Sequence, residues 1–384
     1  MLSFLYISLL STIVICFVMG LQLFLMSFKS RGPKLILGCF LLLSSLLCIT
    51  IAIYQTKNYS LYRYFDPLFM SLLLVMQPLY YMYTLSLTSK KFSFRKFAWH
   101  LTPALLIFFA SGVVYLNLNY NEQIYYLTKY MNGIFIENNR LQTIYVIFHI
   151  SKFIYLIQVI TYFILIIKVI SAYQIEFNNM FSSDNDLKLN WLFLFTLFYF
   201  IVSVNSVVIN FIPTQTLNTQ ESVLGISMLV FCLFYFVVGY MGMQQRAVIQ
   251  IINKLDEEVS GFNKTVNTTI IEVLNKYINT EKAFLNPDLR IWDVCMKINS
   301  NRTYISNTIN KVYQMNFNDY INKLRVEEVC KLIRENSSNY TFDALSSACG
   351  FKSISSFNRA FKKFIKMTPS QYKESLQTDN TSEV

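Results

Sequence analysis

The sequence predicts an all-α chain in two parts, a seven-transmembrane-helix bundle followed by a soluble helical domain. Three observations carry this. Seven apolar runs are long enough to cross a bilayer as helices, charge returns only after Gln244, and helix-turn-helix punctuation fills Leu285 to Tyr372. The chain of 384 residues is 54% apolar and only 14% charged, where a soluble protein carries roughly a quarter. The deficit is confined to the first 243 residues, so the boundaries read 1–243 for the bundle, 244–281 for a helical linker, 282–376 for the soluble domain and 377–384 for a polar tail.

About twenty apolar residues are needed per crossing. The runs are 2–28, 35–54, 64–88, 101–117, 142–170, 190–212 and 222–243. The first is too long for a signal-peptide core and has no basic leader, its charges following at Lys29, Arg31 and Lys34. In the odd connections basic residues stand at 29, 31, 34, 90, 91, 95, 96, 168 and 188. In the even ones they stand at 57, 63, 129 and 140. Lys and Arg mark the cytoplasmic side, so the N-terminus is expected outside and the C-terminal domain in the cytoplasm. Trp99 and Trp191 fall at the inner interface, as an aromatic belt requires.

Polar residues inside such helices are expensive and raise a functional question. Asp66 stands near the outer end of the third helix, His149 and Lys152 share a face of the fifth, and Asn205 and Asn210 lie in the outer half of the sixth. Two readings stay open. They are interhelical hydrogen-bonding groups, or they line an outward-facing ligand-sensing pocket. Enzyme motifs are missing: there is no HExxH and no GxSxG, and no lysine in 222–243 to hold retinal. A carrier would need broken helix pairs or internal symmetry, which the runs lack. Seven cysteines form no CxxC pair and only two histidines are present, so neither a disulfide framework, a metal site nor any cofactor is called for.

In the linker, Val248, Ile251, Ile252, Leu255 and Val259 keep helical spacing among polar residues until Ser260-Gly261 breaks it. Residues 248–259 offer a possible homodimer seam, with two heptads against the three or four that argue coiled coil. A second helix at 268–280 places Ile270, Leu274 and Tyr277 on one side.

From Leu285 to Gln314 the pattern is helix, tight turn, helix. Ile291, Val294 and Cys295 face inward, Asn299 takes the left-handed corner, Asn301 caps the next helix, and Ile305 and Ile309 face the core. The unit recurs in TFDALSSACGFKSISSFNRAFKK. Thr341 caps a helix bearing Ala344, Leu345 and Ala348, Gly350 turns the chain, Phe351 plugs the core, and Ser353 caps a helix with Phe357, Phe361 and Phe364 in phase. Thr368-Pro369 opens a last helix. Between the units, Asn316 to Asn336 is an unbroken helical pattern of about 30 Å. Adjacent major grooves on one face of B-DNA are about 34 Å apart.

Leu285 to Lys373 resembles the AraC-type DNA-binding domain of bacterial transcription regulators. NDYINKLRVEEVCKLI matches its linker helix, and GFKSISSFNRAFKKFIKMTPSQY its second unit and closing helix. The layout also resembles Bacteroidetes-type regulators that fuse this domain to seven membrane helices. The resemblance implies double-stranded DNA as partner, read by Arg302, Thr303, Ser306 and Asn307 in the first unit. In the second it implies Ile354, Ser355, Asn358 and Arg359, with Lys362 and Lys363 near phosphates. It also implies a multi-pass protein of the inner (cytoplasmic) membrane, in contact with the lipid bilayer and responding to a small-molecule or envelope signal. Three departures stand out: Cys295 and Ser346 replace small alanines, Asn299 replaces a turn glycine, and Lys366-Met367 stand where a glycine commonly precedes Thr-Pro. The net charge of +11 suits DNA, or alternatively a protein or anionic lipid surface on which the basic domain would dock.

Overall fold

The computed structural model describes residues 3–27, 32–88, 97–132, 134–135, 137–181, 190–212, 221–244, 269–335 and 340–381. Among these the chain is helical, and one isolated antiparallel bridge pairs Phe181 with Arg290. It divides into two compact units, Met1–Ser171 with Leu189–Ala247, and Ala172–Lys188 with Val248–Val384.

The N-terminal unit holds α1 (Phe4–Met26), α2 (Pro33–Gln55), the short α3 (Tyr59–Tyr62), α4 (Asp66–Thr88), α5 (Thr102–Leu116, entered through a 3₁₀ turn), α6 (Tyr120–Thr128), α7 (Asn139–Asn178) as far as Ser171, α8 (Asn190–Phe211) and α9 (Glu221–Gln244). Seven helices among the described residues are long and apolar enough to cross a membrane. Their bounds follow the seven apolar runs except in α7, which continues eight residues beyond its run. Tyr173 and Phe177 in that continuation are buried and belong to the second compact unit.

α4 is the enclosed helix of this unit: from Met70 to Thr88 almost every side chain is buried. α1 packs along α2 and α9, and α2 and α5 pack on α4. Gly20 and Gly38 let α1 and α2 approach closely, since a Cβ on Gly38 would lie 2.9 Å from the Phe24 amide nitrogen. Some buried polar groups pair across helices, as in Gln77 Nε2 donating to Ser203 Oγ at 3.0 Å. The connection 118–141 contains α6, closed at its start by a capping box between Asn119 and Glu122.

The C-terminal unit comprises α10 (Thr269–Asn275) with a π turn to Thr280, then α11 (Ile291–Ile298), α12 (Arg302–Tyr313), α13 (Phe317–Glu335), α14 (Phe342–Ala348), α15 (Ile354–Ile365) and α16 (Pro369–Thr381). The last helix runs to Thr381, into the stretch expected to be a polar tail. Two expected faces are corrected. In α10 and its π turn, Leu274 and Ile278 are buried while Tyr277 is half-buried, because the wider turn rotates the face by one residue. In α14, Leu345, Ser346 and Cys349 face inward and Ala344 and Ala348 are exposed, because Phe342, Leu345, Ser346 and Cys349 share the i, i+3, i+4, i+7 stripe. The seam 248–259 and the joint Ser260-Gly261 lie outside the described residues.

Candidate nucleic-acid interface

The two helix-turn-helix units are set by local chemistry. In the first, Ile291, Val294 and Cys295 are fully buried, and Cys295 is small enough to let α12 close over it. Asn299 adopts φ 56°, ψ 47° as the left-handed corner, and Asn301 Oδ1 accepts the Tyr304 amide at 2.9 Å. Ile305, Thr308 and Ile309 seat α12 on the core.

In the second unit, Gly350 turns at φ +82°, where any Cβ would meet the Leu285 carbonyl oxygen at 2.5 Å. Both the conformation and the contact require glycine there. Ser353 Oγ caps α15 through the Ser356 amide, and Phe357, Ala360 and Phe361 bury its inner face. Lys366 takes the left-handed position, φ 66°, that ends α15. Thr368 and Gln371 then cap α16 reciprocally, the Thr368 amide donating to Gln371 Oε1 at 2.9 Å.

α13 holds the units together with 19 residues, about 29 Å of helix at 1.5 Å per residue. Its buried ladder is Phe317, Ile321, Arg325, Val329 and Ile333, one residue per turn. Arg325 is the surprise in that ladder. Its side chain is fully buried, with Nε donating to the Phe284 carbonyl at 2.7 Å and Nη2 to the Asn286 carbonyl at 2.8 Å. The guanidinium carbon lies 5.8 Å from the centre of the Phe351 ring. Burial pulls its pKa down to about 10, still charged at neutral pH. The fork thus fixes the turn before α11 against α13 and the plug of the second unit. Sequence reasoning passed over it, although a cation in phase with an apolar ladder was a legible signal.

The outward faces carry the residues that the resemblance implied. Thr303 and Asn307 are exposed, with Arg302 and Ser306 half-buried; Ile354, Ser355, Asn358, Arg359, Lys362 and Lys363 are exposed. Two of the cations already have carboxylate partners. Lys363 Nζ lies 2.5 Å from Asp319 Oδ1, at the start of α13. Arg302 Nη1 lies 3.7 Å from Glu176 Oε1, and its guanidinium carbon 6.0 Å from the Trp292 ring centre.

Glu176 belongs to a segment that sequence reasoning did not connect with this domain. Residues 172–181 are part of the C-terminal unit. Phe181 is fully buried with its ring centre 5.3 Å from that of Trp292, and Phe177 stacks on Phe181 at 4.5 Å. The backbone joins too: the Ile291 amide donates to the Met180 carbonyl at 3.0 Å, and Asn318 Nδ2 donates to the Phe181 carbonyl at 2.9 Å. No periodicity could announce this, because the pairing spans more than a hundred residues.

The polar residues of the N-terminal unit divide four to one. Asp66, His149, Lys152 and Asn210 line a cavity of about 430 Å³, and Asn205 does not. Asn205 Oδ1 instead accepts from Ser227 Oγ at 3.3 Å. Asp66 accepts from the Tyr62 hydroxyl, His149 Nδ1 contacts the Tyr145 carbonyl at 2.9 Å, and Asn210 Nδ2 donates to the Ser206 carbonyl at 2.9 Å. Lys152 Nζ sits 4.5 Å from the Phe148 ring centre and 5.9 Å from that of Phe211.

Two exposed faces on capped second helices, held by one rigid helix, define a double helix-turn-helix DNA-binding domain. A family model described as "Helix-turn-helix domain" matches residues 294–375, and the chain carries an AraC-type domain of this kind at its C-terminus. The chain is also similar to the Msm operon regulatory protein of Streptococcus mutans, 23% identical over 107 residues. That match covers 27% of this chain and 38% of the relative, so the chain spans well under half of the curated protein it matches. No solved structure matches.

Proposed function

We propose that the protein is a membrane-embedded one-component transcription regulator, with the seven helices as anchor and sensor and the C-terminal domain as reader of DNA. The two units bind successive major grooves: α13 spans about 29 Å, close to the groove repeat of about 34 Å. The observation that carries this is the pair of capped helices with exposed polar and basic faces, joined in register by α13. Arg359 pairs with a guanine edge, while Lys362 and Lys363 neutralise phosphates, Lys363 by leaving Asp319. The regulator-type domain points to a protein without enzymatic activity.

The bundle spans the cytoplasmic membrane with its N-terminus outside. An apolar cavity with a few converging polar groups is the form that small-molecule sites take, and it supports sensing by Asp66, His149, Lys152 and Asn210. A signal acts by favouring one of two arrangements of the bundle.

Immunoprecipitation of the tagged full-length chain from cells, followed by sequencing of bound DNA, is expected to recover discrete sites with a common motif. Enrichment of no discrete site sinks the DNA reading. A cytoplasm-dependent reporter is expected to work when fused after Val384 and fail after Gln220; the reverse would place the domain where it meets no DNA.

A further inference from the structure

The cavity of the N-terminal unit says something about the chemistry of its occupant. Its volume of about 430 Å³ lies within the range of small-molecule sites, roughly 300–1,000 Å³. Much of its wall is aromatic or aliphatic, with Leu73, Met76, Met228 and Phe231 away from the charged residues in sequence position along their helices. Such a wall accommodates a hydrocarbon body.

One acidic and one basic side chain reach the cavity, and they are not equivalent. Asp66 already accepts a hydrogen bond from Tyr62, and it stands in the first turn of α4, where the helix dipole favours an anion. Lys152 has the faces of Phe148 and Phe211 as neighbours, and among the described residues no carboxylate lies within ion-pairing distance of it. Ring faces attract a cation, but they supply no acceptor for the three ammonium hydrogens. An ammonium withdrawn from water is stabilised chiefly by a counter-charge that also accepts hydrogen bonds. The cavity therefore lacks an anion beside Lys152, and an occupant can supply it. An amine would meet the like charge of Lys152.

We infer that the cavity binds an amphiphilic carboxylate, its headgroup on Lys152 Nζ and its apolar body along Leu73, Met76, Met228 and Phe231. The inference rests on the proposed sensing role of the bundle and specifies the class of signal. A free fatty acid and an acyl compound with a terminal carboxylate share this chemistry.

The test uses the full-length protein in lipid nanodiscs and three photoprobes, decanoate, decanol and decylamine, each with a diazirine in the chain. Decanoate is expected to label peptides of the cavity wall, with the label competed by unlabelled decanoate. Lys152→Met should lower that labelling about tenfold or more, as loss of a charge-assisted hydrogen bond implies. Lys152→Arg should retain most of it. Decanol labelling should be weaker and the same in wild type and Lys152→Met, which also shows that the variant keeps its cavity. Decylamine labelling the cavity more strongly than decanoate, or decanoate labelling unchanged in Lys152→Met, overturns the inference. Reporter output separates it from the sensing role. Lys152-dependent decanoate labelling that leaves output unmoved supports the ligand class and removes sensing. Output locked by Lys152→Met, with no decanoate labelling of the wall, supports sensing and removes this class of ligand.

Discussion

The helix α12 of the first unit lies beside the segment 172–181, with Glu176 at 3.7 Å from Arg302, whereas α15 of the second turns Arg359 and Lys362 to solvent. The cores of the two units are built alike: a buried small residue, a left-handed turn, a capped second helix. Their surroundings are not. Phe181 and Phe177 extend the first core through Trp292, while Phe351, Phe357, Phe361 and Tyr372 of the second pack on Val326, Val329, Cys330 and Ile333 of α13. The difference teaches that two copies of one motif need not be equally available. The first carries a restraint supplied by a distant part of the chain, whereas among the described residues the carboxylates paired with cations of the second, Asp319 with Lys363 and Asp288 with Lys352, come from the domain itself.

The largest expected effect removes what the units share. Arg325→Met strips the donors from the buried Phe284 and Asn286 carbonyls and should destabilise the domain by about 3–5 kcal/mol. Hydrogen exchange should show protection falling in α11–α12 and α14–α15 together. If one unit alone loosens, Arg325 is not the common brace.

Phe181→Ala separates them. A buried aromatic truncated to alanine costs about 3–5 kcal/mol, and here the loss should fall on α11 and α12 and spare α15. Equal loss of protection in both units would break the contrast drawn between them.

Next in size, Arg359→Ala should weaken binding at the cognate site by about 1–3 kcal/mol and relax one base position, measured by competition among operator variants. Uniform loss across all sequences would make Arg359 a phosphate contact instead.

The smallest effect tests the restraint on α12. Glu176 is about half exposed and its pair with Arg302 is long, so it contributes well under about 1 kcal/mol. Glu176→Gln should remove one partner of Arg302 and tighten DNA binding roughly threefold at low salt, the gain shrinking as salt rises. Unchanged or weaker binding would mean that Glu176 does not compete with DNA for Arg302.

Much of this protein was legible as sequence because much of it is local. Seven helices follow from apolar runs, since each span need only be long and apolar enough. Caps at Asn301, Thr341 and Ser353, left-handed residues at Asn299 and Gly350, and the stripe of Phe357 and Phe361 all depend on neighbours within about one or two turns. Periodicity went astray at its weakest points, the seven-residue α14 and the π turn after α10, where one residue of rotation exchanges inner and outer faces.

What tertiary structure alone decided are the pairings between distant residues. That Arg325 turns inward depends on two carbonyls about forty positions earlier, and that Arg302 has a carboxylate depends on Glu176, more than a hundred positions away. The separation of Asn205 from the four cavity residues is of the same kind, set by Ser227 on another helix. Helical periodicity reports that a face is buried, not what buries it. Partner identity is a property of packing, and packing is settled only when all the faces compete for one another at once.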